Sequence, residues 1–204
     1  MSPGTIDIPS WPESPAGLAL PAMSTVLVPL AEGFEELEAI TVVDLLRRAD
    51  IEVTTAALAS TPVRGSHGIA VEADTTLAQL DGVEFDMIVL PGGMPGAKHL
   101  GEHEGLRARL RTMAERGKYT AAICAAPSVL AGAGILEGRR ATSFPGFLDP
   151  ARTPGLTLAS DPVVTDGKVI TSRGPGTAID FALELIERLR GRVARDAVEV
   201  RLQR

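Results

Sequence analysis

Aromatic residues make up only 3% of this 204-residue chain, and it has a single cysteine and three histidines. One cysteine cannot close an internal disulfide, which excludes a disulfide-stapled secreted scaffold and makes a reducing, cytoplasmic compartment the natural one. No apolar run approaches the roughly 20 residues that a membrane-crossing helix needs. Basic charge is short as well: the formal net charge is -6 and the pI about 5.1. That balance argues against a nucleic-acid groove or an anionic membrane as partner. What is present in quantity is aliphatic. A hydrophobic content of 45%, rich in Ala, Leu, Val and Gly, suits one sizeable α/β domain with a filled core.

Residues 1–22 stand apart. They hold Pro3, Pro9, Pro12, Pro15 and Pro21 and lack the basic start and apolar stretch of a signal peptide. The segment reads as a flexible leader, or as upstream sequence ahead of a true start at Met23, and contributes nothing to the expected fold. Residues 23–192 then form a single domain, with 193–204 as a C-terminal extension. Strand-like runs at Thr25–Leu30, Glu52–Leu58, Asp86–Leu90, Thr120–Ile123 and Val169–Ser172 alternate with helical patterns. The helices are predicted at Glu35–Arg48, Leu106–Arg116, Ser128–Gly134 and Ala178–Arg190. Leu37, Ile40 and Val43 carry the period of the first, while Phe181, Leu185 and Leu189 carry that of the last. Val63–Ala73 reads as an irregular strand or hairpin insert, and Asp166-Gly167 as the turn of a true hairpin. Near-continuous apolar strands separated by helices predict a mostly parallel sheet covered on both faces. In such sheets the site lies beyond the carboxyl ends of the strands. Ala31–Glu38, Pro91–Ala97 and Cys124–Pro127 are the loops that leave those ends.

Each of these loops offers chemistry. Cys124 falls where an apolar strand breaks into a helix that starts near Pro127, beside amides without intrahelical partners. Those amides favour a thiolate and predict a lowered thiol pKa. A lone cysteine is also commonly a small buried hydrophobe. Gly92 and Gly93 follow a strand, and glycine lets backbone N–H groups approach a reacting centre. Glu35 and Glu38 share one face of the first helix, while Glu36 is expected to point away. For Glu38 the residues leave two readings open: a hydrogen-bond partner of the sulfur kept partly protonated by burial, or a helix acid offsetting the dipole. Glu35 and Glu36 are read as such helix acids. His67 is read as a solvated loop histidine with some capacity to serve an anion pocket. His99 and His103 have the i, i+4 spacing of a metal pair, but with Gly101 between them and no third ligand nearby it is read as chance. No metal site is expected.

Five segments in order resemble the PfpI superfamily: Gly33-Phe-Glu-Glu-Leu-Glu38, Asp44-Leu-Leu-Arg-Arg48, Val89-Leu-Pro-Gly-Gly93, Ala121-Ala-Ile-Cys-Ala-Ala-Pro127 and Thr171-Ser-Arg-Gly-Pro-Gly-Thr177. Within it the chain is most similar to the parkinsonism-associated deglycase branch, including its bacterial YajL-type members. The resemblance implies a flavodoxin-like three-layer sandwich of the glutamine-amidotransferase type, covering Ser24 to about Arg192. It also implies Cys124 as the reactive cysteine, Glu38 as its protonated partner, and the Gly93 and Ala125 amides as the oxyanion or thiolate hole. Gly92, Phe144, Gly174 and Pro175 would line the pocket. Arg48, near the site at a homodimer interface, and His67 would be the anion-binding candidates. The implied function is cofactor-free and cysteine-dependent: glyoxalase or deglycase action on small reactive carbonyls in stress protection. The alternatives are a redox-sensing or chaperone protein whose cysteine oxidises to sulfinic acid, and an intracellular peptidase. The peptidase reading is weakened because Ala125 and Phe144 stand where relatives carry histidines.

Overall fold

The computed structural model describes residues 23–204, so the expected leader at 1–22 lies outside the described residues. The chain runs β1 (Thr25–Leu30), α1 (Glu36–Arg48), β2 (Glu52–Ala57), β3 (Val63–Arg64), β4 (Ala70–Val71), β5 (Thr75–Thr76) and β6 (Met87–Leu90). Then follow α2 (Gly96–Glu102), α3 (Glu104–Glu115), β7 (Tyr119–Ile123), α4 (Pro127–Gly132), β8 (Arg140–Ala141) and β9 (Thr157–Leu158). β10 (Val163–Asp166), β11 (Val169–Ser172), α5 (Ala178–Arg190) and α6 (Arg192–Arg201) complete it.

Seven strands form the central sheet in the order β10-β11-β7-β6-β1-β2-β5. All neighbours are parallel except β10, which pairs antiparallel with β11 through the expected hairpin. Alternation along each strand feeds two cores, since successive side chains point to opposite faces. Val26, Val28, Met87 and Val89 face a core shared with Val42, Leu45, Phe181 and Leu185 of α1 and α5. Leu27, Ile88 and Leu90 face one shared with Leu100, Leu106, Leu110 and Leu130 of α2, α3 and α4. This is a mostly parallel, flavodoxin-like α/β sandwich with helices on both faces.

The buried face of α1 differs from the sequence reading. In α1 the residues that display the helical period, Leu37 and Ile40, are 51% and 44% exposed; the buried stripe is Ala39, Val42, Leu45 and Leu46. Most of residues 193–204 belong to α6, which packs on α5 and buries Val198. The insert at 63–73 is the hairpin of its two expected readings, a small antiparallel pair of β3 and β4, while β5 adds a short edge to the main sheet. No described helix is long and apolar enough to cross a membrane.

Candidate active site

β7 delivers Cys124 at the carboxyl edge of the sheet, and the chain then turns straight into α4 with Pro127 at its first position. Reversing direction in so few residues forces Cys124 to φ +64°, a left-handed conformation that costs a non-glycine residue on the order of 1–3 kcal/mol. The conformation is held from both sides: the Cys124 N–H donates to the Ser172 carbonyl at 2.9 Å, and its carbonyl accepts the Phe144 N–H at 2.8 Å. The Gly93 and Ala125 amides face the half-buried sulfur and act to lower its pKa. Gly93 itself sits at φ +86° and presses against the backbone of residues 33–35, so no side chain fits there.

Glu38 reaches the same point from the first turn of α1 and is fully buried. Its Oε2 accepts the Gly92 N–H at 2.8 Å. Its Oε1 is buried with no hydrogen-bond partner, and the carboxyl lies close enough to the Cys124 thiol for each to shift the other's titration. Burial raises the Glu38 pKa to about 7, against the pull of the Gly92 amide and the thiol. Burial, then the charge and the hydrogen bond of Glu38, push the Cys124 thiol up to about 12. The lowered thiol pKa expected from helix amides alone is therefore corrected. The Gly93 and Ala125 amides do act downward, but burial and the carboxylate outweigh them. The two groups behave as one unit that holds a single proton above neutral pH. With the proton on sulfur, Glu38 is a base poised beside a nucleophile; with it on Oε1, Glu38 donates to a thiolate lying on two amides.

The remaining candidates separate into two groups. Gly92 touches Cys124 and Glu38, while Phe144, whose N–H donates to the Cys124 carbonyl, lays its ring over Gly174 and lines with Gly174 and Pro175 a groove beside the turn. Arg48 does not join them within one protomer. It ends α1, ten residues beyond Glu38 and about 15 Å along the axis, and its guanidinium pairs with Asp44 at 2.8 Å. His67 is not an anion receptor either, because its ring is 3.1 Å from the Glu36 carboxylate and that contact raises its pKa.

Glu36 overturns its reading as an outward-pointing helix acid. It is buried, and its Oε1 accepts both the His67 and the Ile69 amide, at 2.8 and 3.2 Å. Burial works against the charge, but those amides, its own and the His67 ring hold the carboxyl at about 2. Glu36 thereby clasps the β3–β4 hairpin onto the start of α1, a role that no local periodicity announces. Ligand atoms of Glu35, Glu36 and His67 lie within 4.8 Å of one another, but hydrogen bonds already occupy both Glu36 oxygens. His99 and His103 do not form a metal pair. His99 Nδ1 lies 3.0 Å from the Glu32 carbonyl, and His103 breaks the helix and caps α3 through the Leu106 amide.

The DJ-1/PfpI family model matches residues 24–188. Protein dj-1beta of Drosophila melanogaster is 44% identical over 170 residues, covering 82% of this chain and 90% of that protein. Protein DJ-1 homolog A of Arabidopsis thaliana is 41% identical over 85% of this chain, and the chain spans only 45% of that longer protein. The glutathione-independent glyoxalase DJR-1.2 of Caenorhabditis elegans is 36% identical over 85% of this chain and 92% of its own length. Among solved structures, oxidized Toxoplasma gondii DJ-1 superposes with a TM-score of 0.83 at 39% identity, covering 88% of this chain and 98% of that one.

Proposed function

Because the chain belongs to the DJ-1/PfpI family, we propose that it is a cysteine-dependent enzyme that converts reactive 2-oxoaldehydes to hydroxy acids in stress protection. The observation that carries this reading is the buried Glu38 carboxyl set against the Cys124 thiol beneath two amides. As Cys124 Sγ bonds to the aldehyde carbon, the thiol proton passes to Glu38. The carbonyl π bond opens, and its oxygen meets the Gly93 and Ala125 N–H groups. Glu38 passes the thiol proton on to that oxygen and is a free base again. With a pKa near the working pH, it moves the proton of the aldehyde carbon to the ketone oxygen, giving an enediol, and then the proton of the adduct hydroxyl to the neighbouring carbon. The result is a thioester on Cys124, which water hydrolyses to release the hydroxy acid and restore the thiol. The aldehyde carbon is oxidised and the ketone carbon reduced within one molecule, so no outside oxidant enters. The C. elegans relative named as a glyoxalase supports this class of reaction. Removal of glycation adducts would draw on the same thiol and carboxyl.

The direct test supplies methylglyoxal and measures lactate. Cys124→Ser is expected to lose on the order of a thousandfold in turnover or more; turnover that survives the substitution removes the reading.

A second reading is favoured by the unpartnered Glu38 Oε1. Peroxide would oxidise the thiol to sulfinic acid, and protonated Oε1 would donate to a sulfinate oxygen. No second cysteine exists to resolve the intermediate as an internal disulfide.

Peptidase activity is expected to be absent. Protonation of a leaving amine normally uses a positioned histidine. All three histidines are engaged elsewhere, by Glu36, the Glu32 carbonyl and the Leu106 amide. A fluorogenic casein assay checks this, and cleavage abolished by Cys124→Ser would contradict it.

We also propose a homodimer. Leu37, Ile40 and Ile69 are 51%, 44% and 60% exposed around the first turns of α1, an apolar surface that a second copy would cover. Light scattering at micromolar concentration is expected to give twice the 21.3 kDa chain mass, and a Leu37→Glu variant to shift towards monomer. A purely monomeric wild type would refute the dimer.

A further inference from the structure

A groove of about 660 Å³ opens beside the cysteine turn, between the segments 142–146, 158–160 and 173–177. Its volume falls in the range of small-molecule sites and is far more than the methyl group of methylglyoxal fills. Two backbone bonds tie it to the reaction centre, Phe144 N–H to the Cys124 carbonyl and Cys124 N–H to the Ser172 carbonyl. Its walls are unusual for a protein surface. Phe144 and Leu158 stand 46% and 49% exposed, and Pro145 and Pro175 add rigid apolar surface. The Phe144 ring is fixed rather than free: its edge lies 3.3 Å from where a Cβ on Gly174 would be, and Phe147 packs against it edge-on.

One polar feature points to a ligand. Arg173 is the one ionisable side chain lining the groove, in a protein whose net charge is -6. Its Nη1 is anchored on the Ser160 carbonyl at 3.0 Å, and among the described residues it has no carboxylate within ion-pair distance. A lone guanidinium at an apolar groove selects an anion attached to an apolar body.

We propose that this groove is a substrate subsite that takes 2-oxoaldehydes carrying an aryl or branched alkyl group with a terminal carboxylate. Leu158, Phe144 and Pro175 hold the apolar body, and Arg173 receives the carboxylate. The proposal rests on the carbonyl-converting reading of Cys124 and names its substrate class.

The test compares 4-carboxyphenylglyoxal, phenylglyoxal and methylglyoxal as substrates, and measures calorimetric binding of 4-carboxymandelate, the product of the first. Wild-type kcat/KM is expected to rise in the order methylglyoxal, phenylglyoxal, 4-carboxyphenylglyoxal, mainly through KM. Arg173→Gln is expected to cut the preference for 4-carboxyphenylglyoxal over phenylglyoxal roughly tenfold, and Leu158→Ser the preference for phenylglyoxal over methylglyoxal by a similar factor. Equal kcat/KM for the three compounds, or ratios unmoved by both variants, overturns the subsite. If the wild type turns over none of them, the catalytic reading falls and binding decides the groove. Product binding that weakens in Arg173→Gln and Leu158→Ser upholds the groove as a site for such compounds, and no binding overturns it.

Discussion

Glu38→Gln is expected to abolish 2-oxoaldehyde turnover while making the protein more stable at alkaline pH. Gln can still accept the Gly92 N–H, which now goes to Oε2, so the turn keeps its support. What it cannot do is take and return a proton, and the transfers assigned to Glu38 stop. The stability effect follows from linkage. Burial raises Glu38 from 4.5 to about 7 in the folded state. A raised pKa means that the native state binds the proton more tightly than the unfolded chain does. The resulting stability is fully present below about pH 4.5 and is lost as pH rises through about 7. A shift of this size is worth about 3 kcal/mol, or roughly 10 °C in melting temperature for a chain of this length. Gln stays neutral throughout. Melting curves of the two proteins should therefore nearly coincide at pH 4.5 and separate as pH passes 7, with the variant higher. In the wild type, kcat/KM should rise through about pH 7 as Glu38 becomes a free base. A variant that keeps turnover, or a pH-independent difference in melting temperature, would remove the shared proton from the mechanism.

The parallel sheet was legible because its strands are apolar on both faces, as Val26-Leu-Val28 and Met87-Ile-Val-Leu90 are, with helices between them. α5 was legible to its ends because Phe181 and Leu185 keep a helical period over a buried face. The helix α2 was not, because Gly96-Ala-Lys-His-Leu-Gly-Glu102 has one large apolar residue, Leu100, and relies on tertiary packing against α4. At the site, the turn at Cys124 could be read from a strand running into Pro127, and Glu38 from its place one turn into a helix at the same edge. The sign of the thiol shift could not. It depends on how deeply the sulfur and the carboxyl are buried together, and burial of a pair drawn from β7 and α1 is a property of the assembled sheet edge. Glu36 was misread for the same reason: the hairpin that buries it arrives thirty residues later in the chain. Phe144, Gly174 and Pro175 were expected as pocket lining, but Arg173 was not singled out, because the groove's walls come from three separate loops and only their assembly leaves one guanidinium among apolar side chains.

Gly92→Ala is expected to reduce activity more than a hundredfold although it adds a single methyl group. A Cβ at this position would lie 2.6 Å from the Cys124 Cβ, 2.7 Å from the Glu38 Oε2 and 2.9 Å from the Ile123 carbonyl oxygen. None of these neighbours is the loose end of a flexible side chain. Cys124 is pinned by backbone bonds on both sides, Ile123 belongs to the central sheet, and Glu38 sits in a closed pocket. Overpacking of this kind typically costs about 1–3 kcal/mol, which a sheet of this size survives. The functional cost is larger, because relief requires the sulfur and the carboxyl to part, and displacement by about 1 Å can cost a hundredfold in rate. The Gly92 N–H would also be pulled from Oε2, removing a contact that lowers the Glu38 pKa, so the carboxyl should titrate higher than in the wild type. Gly132→Ala is the control: that glycine lies at the end of α4 with nothing within 4 Å of an added Cβ. It should melt at the wild-type temperature or slightly above and keep wild-type kinetics. Melting curves with kcat/KM for methylglyoxal decide the case, and a Gly92→Ala enzyme with wild-type turnover would show that the close approach of the loop after β6 to the thiol and carboxyl is not what holds the site in working order.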